Sequence, residues 1–336
     1  MKKQKIFIIS FLILILCMII SFSVGRYKIP INTIFYIIKA KITGQPIAEE
    51  FSAAYTAFWI IRVPRTIMAV MVGAVLGVAG TVFQGIFRNP LVSPDILGIS
   101  QAASFGAGAA IICFGYSLVL IQSAAFIFSL LAILFALSIG LRNKKNSITS
   151  LVIAGIVVSS LFSAGTSILK YLADPYSELP AIEFWAMGAF NKIAWDDVMH
   201  SAPIFIICIL IIYALRWYID IISLEEEEAI SLGVNVKIMR IIFILLSTFI
   251  TATSIAYCGI ISWISLIIPH VGRFLVGPEH KKLIPFSILI GAIFTVLMDT
   301  MARTITAGEI PLSIITSCIG APFLGYLLIK YNKAIK

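Results

Sequence analysis

"RVPRTIMAVMVGAVLGVAGTVFQGIFRNPLVSPDILGIS", residues 62 to 100, decides the fold. It opens on two arginines flanking a proline and runs apolar over 66–87. It then breaks into a short segment, 88–98, carrying two prolines, an arginine, an asparagine and an aspartate before the next apolar run. About 17–25 consecutive apolar residues cross the hydrocarbon core of a bilayer as one helix. The run does not alternate between apolar and polar, so a closed β-barrel is excluded.

The rest of the chain repeats this pattern. Its 336 residues are 60% hydrophobic and 12% charged, whereas a soluble domain carries about 25% charged residues. The sequence therefore reads as one all-α polytopic membrane domain over 1–336. Ten spans are expected, near 6–24, 66–87, 96–115, 118–141, 148–171, 199–217, 241–260, 262–276, 284–301 and 312–329. The first run follows a basic "MKKQK" like a signal peptide, but no A-x-A site follows it, and a retained helix is expected.

Lysine and arginine bias sets the orientation. With the N-terminus inside, Lys2, Lys3, Lys5, Arg88, Arg142, Lys144, Lys145, Arg216, Lys237, Arg240, Arg273, Lys281, Lys282, Lys330, Lys333 and Lys336 fall on the cytoplasmic side, 16 of the 25 basic residues. Both termini are thus expected in the cytoplasm. The net charge of +9 reflects topology and contact with anionic lipid rather than nucleic-acid binding.

On this topology 88–98 is a cytoplasmic turn. Pro90 and Pro94 stop helix propagation, while Asn89 and Asp95 suit backbone groups freed at helix ends. The glycines Gly73, Gly77 and Gly80, with Gln84, Ser100, Gln101 and Ser104, mark the flanking helices as internal. They serve either close packing or a pathway. At the opposite face, Arg62 and Arg65 suit bidentate pairing with acidic groups, with headgroup anchoring as the plainer role. Asp299 and Arg303, four apart on one helix, can neutralise each other.

A long connection at about 220–240 carries four consecutive glutamates and then "AISLG", ending at Gly233. It reads as a solvated acidic loop or as a short surface helix meeting a soluble partner.

No P-loop, H-E-x-x-H or G-x-S-x-G pattern occurs, so an enzyme is not expected. The five cysteines lie in apolar runs without C-x-x-C spacing and read as small core residues; no metal site and no cofactor are expected.

Four stretches, 62–100, "EEAISLGVN" (227–235), "GIISWISLIIPHVGRFLVGPEHKKLIPFSILIGAIFTVLMDTMAR" (259–303) and "EIPLSIITSCIGAPFLGYLL" (309–328), resemble the FecCD-type permeases of iron-chelate and vitamin B12 ABC importers. The resemblance implies a type II ABC importer permease fold in the bacterial cytoplasmic membrane. It implies a second permease subunit, identical or not, two cytoplasmic ABC ATPases and an extracytoplasmic substrate-binding protein. Arg62, Arg65 and Arg303 match the family's external arginines, which pair with glutamates of the binding protein. Asn89 and Leu91 match a cytoplasmic gate, with Ile148 and Thr149 as its second layer. Glu227, Glu228, Ala229, Leu232 and Gly233 match the segment that couples to the ATPase, although its four glutamates are more acidic than the family pattern.

The mechanism implied is alternating access driven by a partner's ATP, with cargo entering along the fifth and tenth spans. Ferric siderophore is the first cargo the resemblance implies, ahead of haem and cobalamin. An ATP-independent secondary transporter is the alternative, with Asp299 as its ion site.

Overall fold

A computed structural model describes residues 2–25, 27–142, 148–306 and 308–334, with side chains at these positions except 2, 3 and 327–334. The helices are α1 (Lys2–Ser23), α2 (Ile31–Thr43), α3 (Ser52–Tyr55), α4 (Val63–Ile86), α5 (Ile99–Phe114), α6 (Leu118–Gly140), α7 (Ile148–Leu172) and α8 (Glu178–Ala186). After these come α9 (Trp195–Ala214), α10 (Arg216–Ile222), α11 (Glu226–Ser231), α12 (Val236–Cys258), α13 (Ile264–Val276), α14 (His280–Ala302) and α15 (Leu312–Ala334). Among the described residues there is no strand. Seven helical stretches are long and apolar enough to cross a membrane, and α5, α13 and the described part of α15 are shorter apolar helices. Together they occupy the ten expected spans.

α4 is the spine. It packs most extensively on α14, and also on α13 and α12. The α4–α14 pair is antiparallel: Arg65 meets Asp299, Gly73 faces Gly291, Thr81 Oγ1 lies 2.8 Å from Ser287 Oγ, and Gly85 sits against His280. A Cβ at Gly73 would collide with the Gly291 carbonyl, and one at Gly291 with the Gly73 carbonyl. Small residues therefore set the interhelical distance, as is usual where lipid supplies no hydrophobic drive. Of the two roles open to these glycines, packing is the one observed. A second group of helices forms where α5 lies on α6 and α7.

Four features differ from the sequence reading. The second span extends back to Glu49, because a π-helical stretch, Thr56–Arg62, carries the helix up to Pro64. Pro64 thus lies inside a continuous helical run, where it donates no backbone hydrogen bond, and the wider π-helical turn directly precedes it. Trp195 Nε1 donates to the Trp59 carbonyl at 2.9 Å and locks this extension to α9.

The amphipathic α2 and the short α8 were not foreseen as helices; α2 buries Ala40, and buries Ile34 and Ile37 in a cluster with Phe58 and Val63. The third span begins at Ile99, since Pro94–Leu97 forms a 3-10 turn closed by Gly98 at φ +82. The eighth span, α13, has 13 residues, too few to cross about 30 Å of hydrocarbon. It is preceded by the non-helical stretch 259–262 and by Trp263 at φ +74. Irregular backbone at such depth is tolerated where protein surrounds it, and Gly259 and Ile261 are buried.

All five cysteines are free; Cys17, Cys208 and Cys258 are buried, as expected of core residues, while Cys113 and Cys318 are exposed. Of the residues used for orientation, Lys2, Lys3, Lys144, Lys145, Lys330, Lys333 and Lys336 have side chains outside the described residues.

Candidate functional site

Two polar assemblies sit at opposite ends of α4. At its start, Arg65 Nε and Nη2 donate to Asp299 Oδ1 at 2.9 and 2.8 Å, and Nη1 donates to the Glu309 carboxylate at 2.9 and 3.0 Å. Arg303 Nε lies 3.7 Å from Asp299 Oδ2, and Arg303 Nη2 donates to the Ser21 hydroxyl at 2.7 Å and to the Ser21 carbonyl. Arg62 donates to the carbonyls of Phe22 at 2.8 Å, Ser23 at 3.1 Å, and Tyr27.

In this geometry all three arginines expected to dock the binding protein are engaged within the chain. Arg62, Arg65 and Arg303 are only 5%, 5% and 6% exposed. Buried guanidinium groups must be paired or hydrogen-bonded, and here they join α1, α4 and α14. Asp299 is fully buried. The i, i+4 spacing pointed to Arg303 as its partner, yet its close bidentate partner is Arg65, 234 positions away in sequence. With Arg65 and Arg303 against it, Asp299 is committed to ion pairing and is unsuited to be a lone ion site.

Glu309, which the sequence reading did not single out, is the rim of the cluster, with a side chain 33% exposed. Arg65 and Arg303 face the two carboxylates, and Arg62, held by backbone carbonyls, lies within electrostatic range of Arg303, so the region retains an excess positive charge. Glu309 also lines a cavity of about 400 Å³ with Trp185, Lys192 and Tyr257.

At the other end of α4, Asn89 Oδ1 accepts from the Leu91 N–H at 2.9 Å, an Asx turn that shapes the loop. Asn89, Pro90 and Leu91 are exposed while Val92 is buried; Leu91 is 51% exposed. The loop is pinned from α13, where His270 Nε2 lies 2.9 Å from the Pro90 carbonyl. Arg273 donates to Gln84 Oε1. Asp95, expected to cap the third span, instead accepts from the Ser100 hydroxyl, and Gly98 occupies the N-cap. Ile148 is half-buried and Thr149 exposed at the start of α7, a helix that touches the 94–97 turn through Gly155 against the Ile96 carbonyl.

Of the two readings of the 220–240 segment, the structure has the short helix, α11, ending before Gly233 at φ +78, rather than only a solvated loop. Ala229 is fully buried and anchors it. Glu227, Glu228, Ile230, Leu232 and Gly233 are exposed. This small surface mixes apolar and acidic groups. Asn235 Oδ1 then caps α12 by accepting from the Ile238 N–H at 3.1 Å. Among the described residues no group of three or more His, Cys, Asp or Glu side chains is placed to hold a metal ion.

The helices form a polytopic membrane domain with polar groups gathered at the two ends of a buried helix. The chain belongs to the FecCD transport family, which it matches over residues 13–330. It is 38% identical over 327 residues to the molybdate import system permease protein MolB of Haemophilus influenzae, covering 96% of this chain and 94% of that one. It is 35% identical over 286 residues to the hemin transport system permease protein HmuU of Yersinia pestis, covering 82% and 84%. Among solved structures it superposes on an ABC transporter assigned to the metal-chelate type, in an inward-facing conformation, with TM-score 0.87 and 35% identity over 97% of this chain and 99% of that one. The chain is thus an ABC importer permease, a multi-pass membrane protein.

Proposed function

We propose that this permease moves an intact iron chelate, with ferric siderophore as the first cargo, across the bacterial cytoplasmic membrane. The observation that carries this reading is the match to the FecCD transport family over residues 13–330. The similarity to a hemin permease supports the chelate class. A second reading, oxyanion import, is favoured by the 38% identity to the molybdate permease.

The Arg65 end faces outward and the Asn89–Leu91 end faces the cytoplasm, with both termini inside. Asn89 and Leu91, backed by Ile148 and Thr149, close the inner end of the pathway against a second permease subunit. Glu227, Glu228, Ala229, Leu232 and Gly233 present the coupling surface to a cytoplasmic ATPase. At the outer end a glutamate of the binding protein docks by displacing Glu309 from Arg65 Nη1. The excess positive charge of the cluster and the exposure of Glu309 support that exchange.

The test is uptake of ⁵⁵Fe-labelled ferric hydroxamate and of ⁹⁹Mo-molybdate by cells carrying the permease with its native partners. A parallel strain carries an ATPase lacking its P-loop lysine. Iron uptake that vanishes in that strain supports the reading. Molybdate uptake alone would move the cargo to the oxyanion class, and uptake indifferent to the ATPase would overturn ATP coupling. Glu309→Gln should preserve uptake while Arg65→Glu abolishes it.

A further inference from the structure

We propose that Arg88 is the positioning residue that transmits movement of the coupling segment to the gate loop; this rests on the coupling and gate roles proposed above. α4 ends in a Schellman motif: the Asn89 N–H donates to the Gln84 carbonyl at 3.2 Å and the Arg88 N–H to the Gly85 carbonyl at 3.2 Å. The residue between the last helical turn and the exit of such a motif must be left-handed, and glycine is the usual choice. Here it is Arg88, at φ +51. A residue with a Cβ rarely adopts this conformation without local gain.

The gain lies in the guanidinium. Arg88 Nη1 donates to the Leu224 carbonyl at 2.9 Å, two residues before α11 begins. Beside it, Ser223 Oγ donates chiefly to the Ile219 carbonyl at 2.7 Å and lies 3.2 Å from the Gly85 carbonyl, which leaves Arg88 as the firmer link between the coupling segment and the end of α4. Farther in, Arg240 is buried, its Nε and Nη2 without hydrogen-bond partners among the described residues, and it lies within electrostatic range of both Glu226 on α11 and Arg88. On its far side the gate loop is held by His270 at the Pro90 carbonyl. A displacement of α11 therefore pulls on Arg88, and Arg88 is directly followed by Asn89, Pro90 and Leu91. Glycine would satisfy the backbone without the link, which separates the two roles of the position.

The experiment is hydrogen–deuterium exchange on the permease co-purified with its ATPase, with and without ATP plus orthovanadate, for wild type, Arg88→Gly and Arg88→Lys. In wild type, nucleotide should change exchange over 224–233 and over 84–92 together. In Arg88→Gly the change over 224–233 should persist while that over 84–92 falls at least fivefold. Arg88→Lys, which keeps a cationic donor, should recover half or more of it. The melting temperature of Arg88→Gly should equal or exceed that of wild type, because glycine fits φ +51 freely.

A wild-type response over 84–92 in Arg88→Gly would overturn the inference. So would a clear drop in its melting temperature, which would make Arg88 a folding residue. Absence of any nucleotide response over 224–233 in wild type would refute the coupling reading itself. A response there without one over 84–92 would refute the link alone.

Discussion

Replacing Asp299 by asparagine removes the charge that holds Arg65 and Arg303 at the start of α4. Asp299 is fully buried and accepts from Arg65 Nε and Nη2 at 2.8–3.1 Å, with Arg303 at 3.7 Å. Breaking a buried ion pair from one side costs about 3–5 kcal/mol, chiefly because the surviving charge stays buried. Glu309 still neutralises Arg65 in this variant, which places Asp299→Asn near the lower bound, at about 3 kcal/mol. Arg65→Gln strands Asp299 with Arg303 as its remaining cation and should cost a similar amount.

The double variant Arg65→Gln/Asp299→Asn removes both charges, so its loss should fall short of the sum by about 1.5–3 kcal/mol, the scale of hydrogen bonds to charged groups. Equilibrium unfolding in mixed detergent micelles, followed by tryptophan fluorescence, reads all three values. Additivity within about 0.5 kcal/mol would show that the two side chains do not couple, and would refute the view that this pair ties α4 to α14.

Other perturbations follow from the same structure. Gly291→Val pushes a side chain onto the Gly73 carbonyl and should cost about 1–3 kcal/mol or block folding, read as loss of monodisperse protein on size exclusion. Asn235→Ala removes the side-chain cap of α12 and should lower stability by about 1 kcal/mol in the same unfolding assay. In the turn after α7, hydrogen bonds from the Ser177 hydroxyl, the Ser177 N–H and the Tyr176 N–H hold the Asp174 carboxyl below its ordinary range. Because the folded value is the lower one, this stabilisation is complete above the unfolded value and disappears as pH falls through the folded one. The protection of the Tyr176 and Ser177 amides, taken relative to the intrinsic exchange rate at each pH, should therefore fall on acidification in wild type and be low throughout in Asp174→Ala.

Long apolar runs made the ten spans legible, because a bilayer imposes length and polarity on each of them. What escaped the reading was local. α2 has 13 residues and three buried side chains, too little apolar run to stand out from a loop. The extension before α4 was concealed by Pro64, which looks like a helix start unless the π-helical turn ahead of it is known. At the polar ends, spacing alone linked Asp299 to Arg303. The closer pairing with Arg65 depends on α4 and α14 lying antiparallel, a fact that no local window contains. For the same reason Glu309 and the Arg88–Leu224 contact were invisible: each joins segments that only the tertiary fold brings together. The short helix α11 and its end at Gly233 were legible because turn chemistry is local.

The burial of α4 divides the molecule into a frame and a working surface. Over the stretch containing α4, 83% of the most apolar window is buried, against 28% for the window in α7. A residue enclosed on every side has no freedom to follow a new cargo, because each change must be matched by a neighbour. On the cargo path along the fifth span that the family resemblance implies, adaptation to a different cargo would therefore accumulate on residues such as Ile153, Val157, Leu161 and Ile168 of α7, which are 53–68% exposed in this chain. Exchanging that face between relatives that import different cargoes is the graft that this division of labour permits, with α4 and its glycines left as they are.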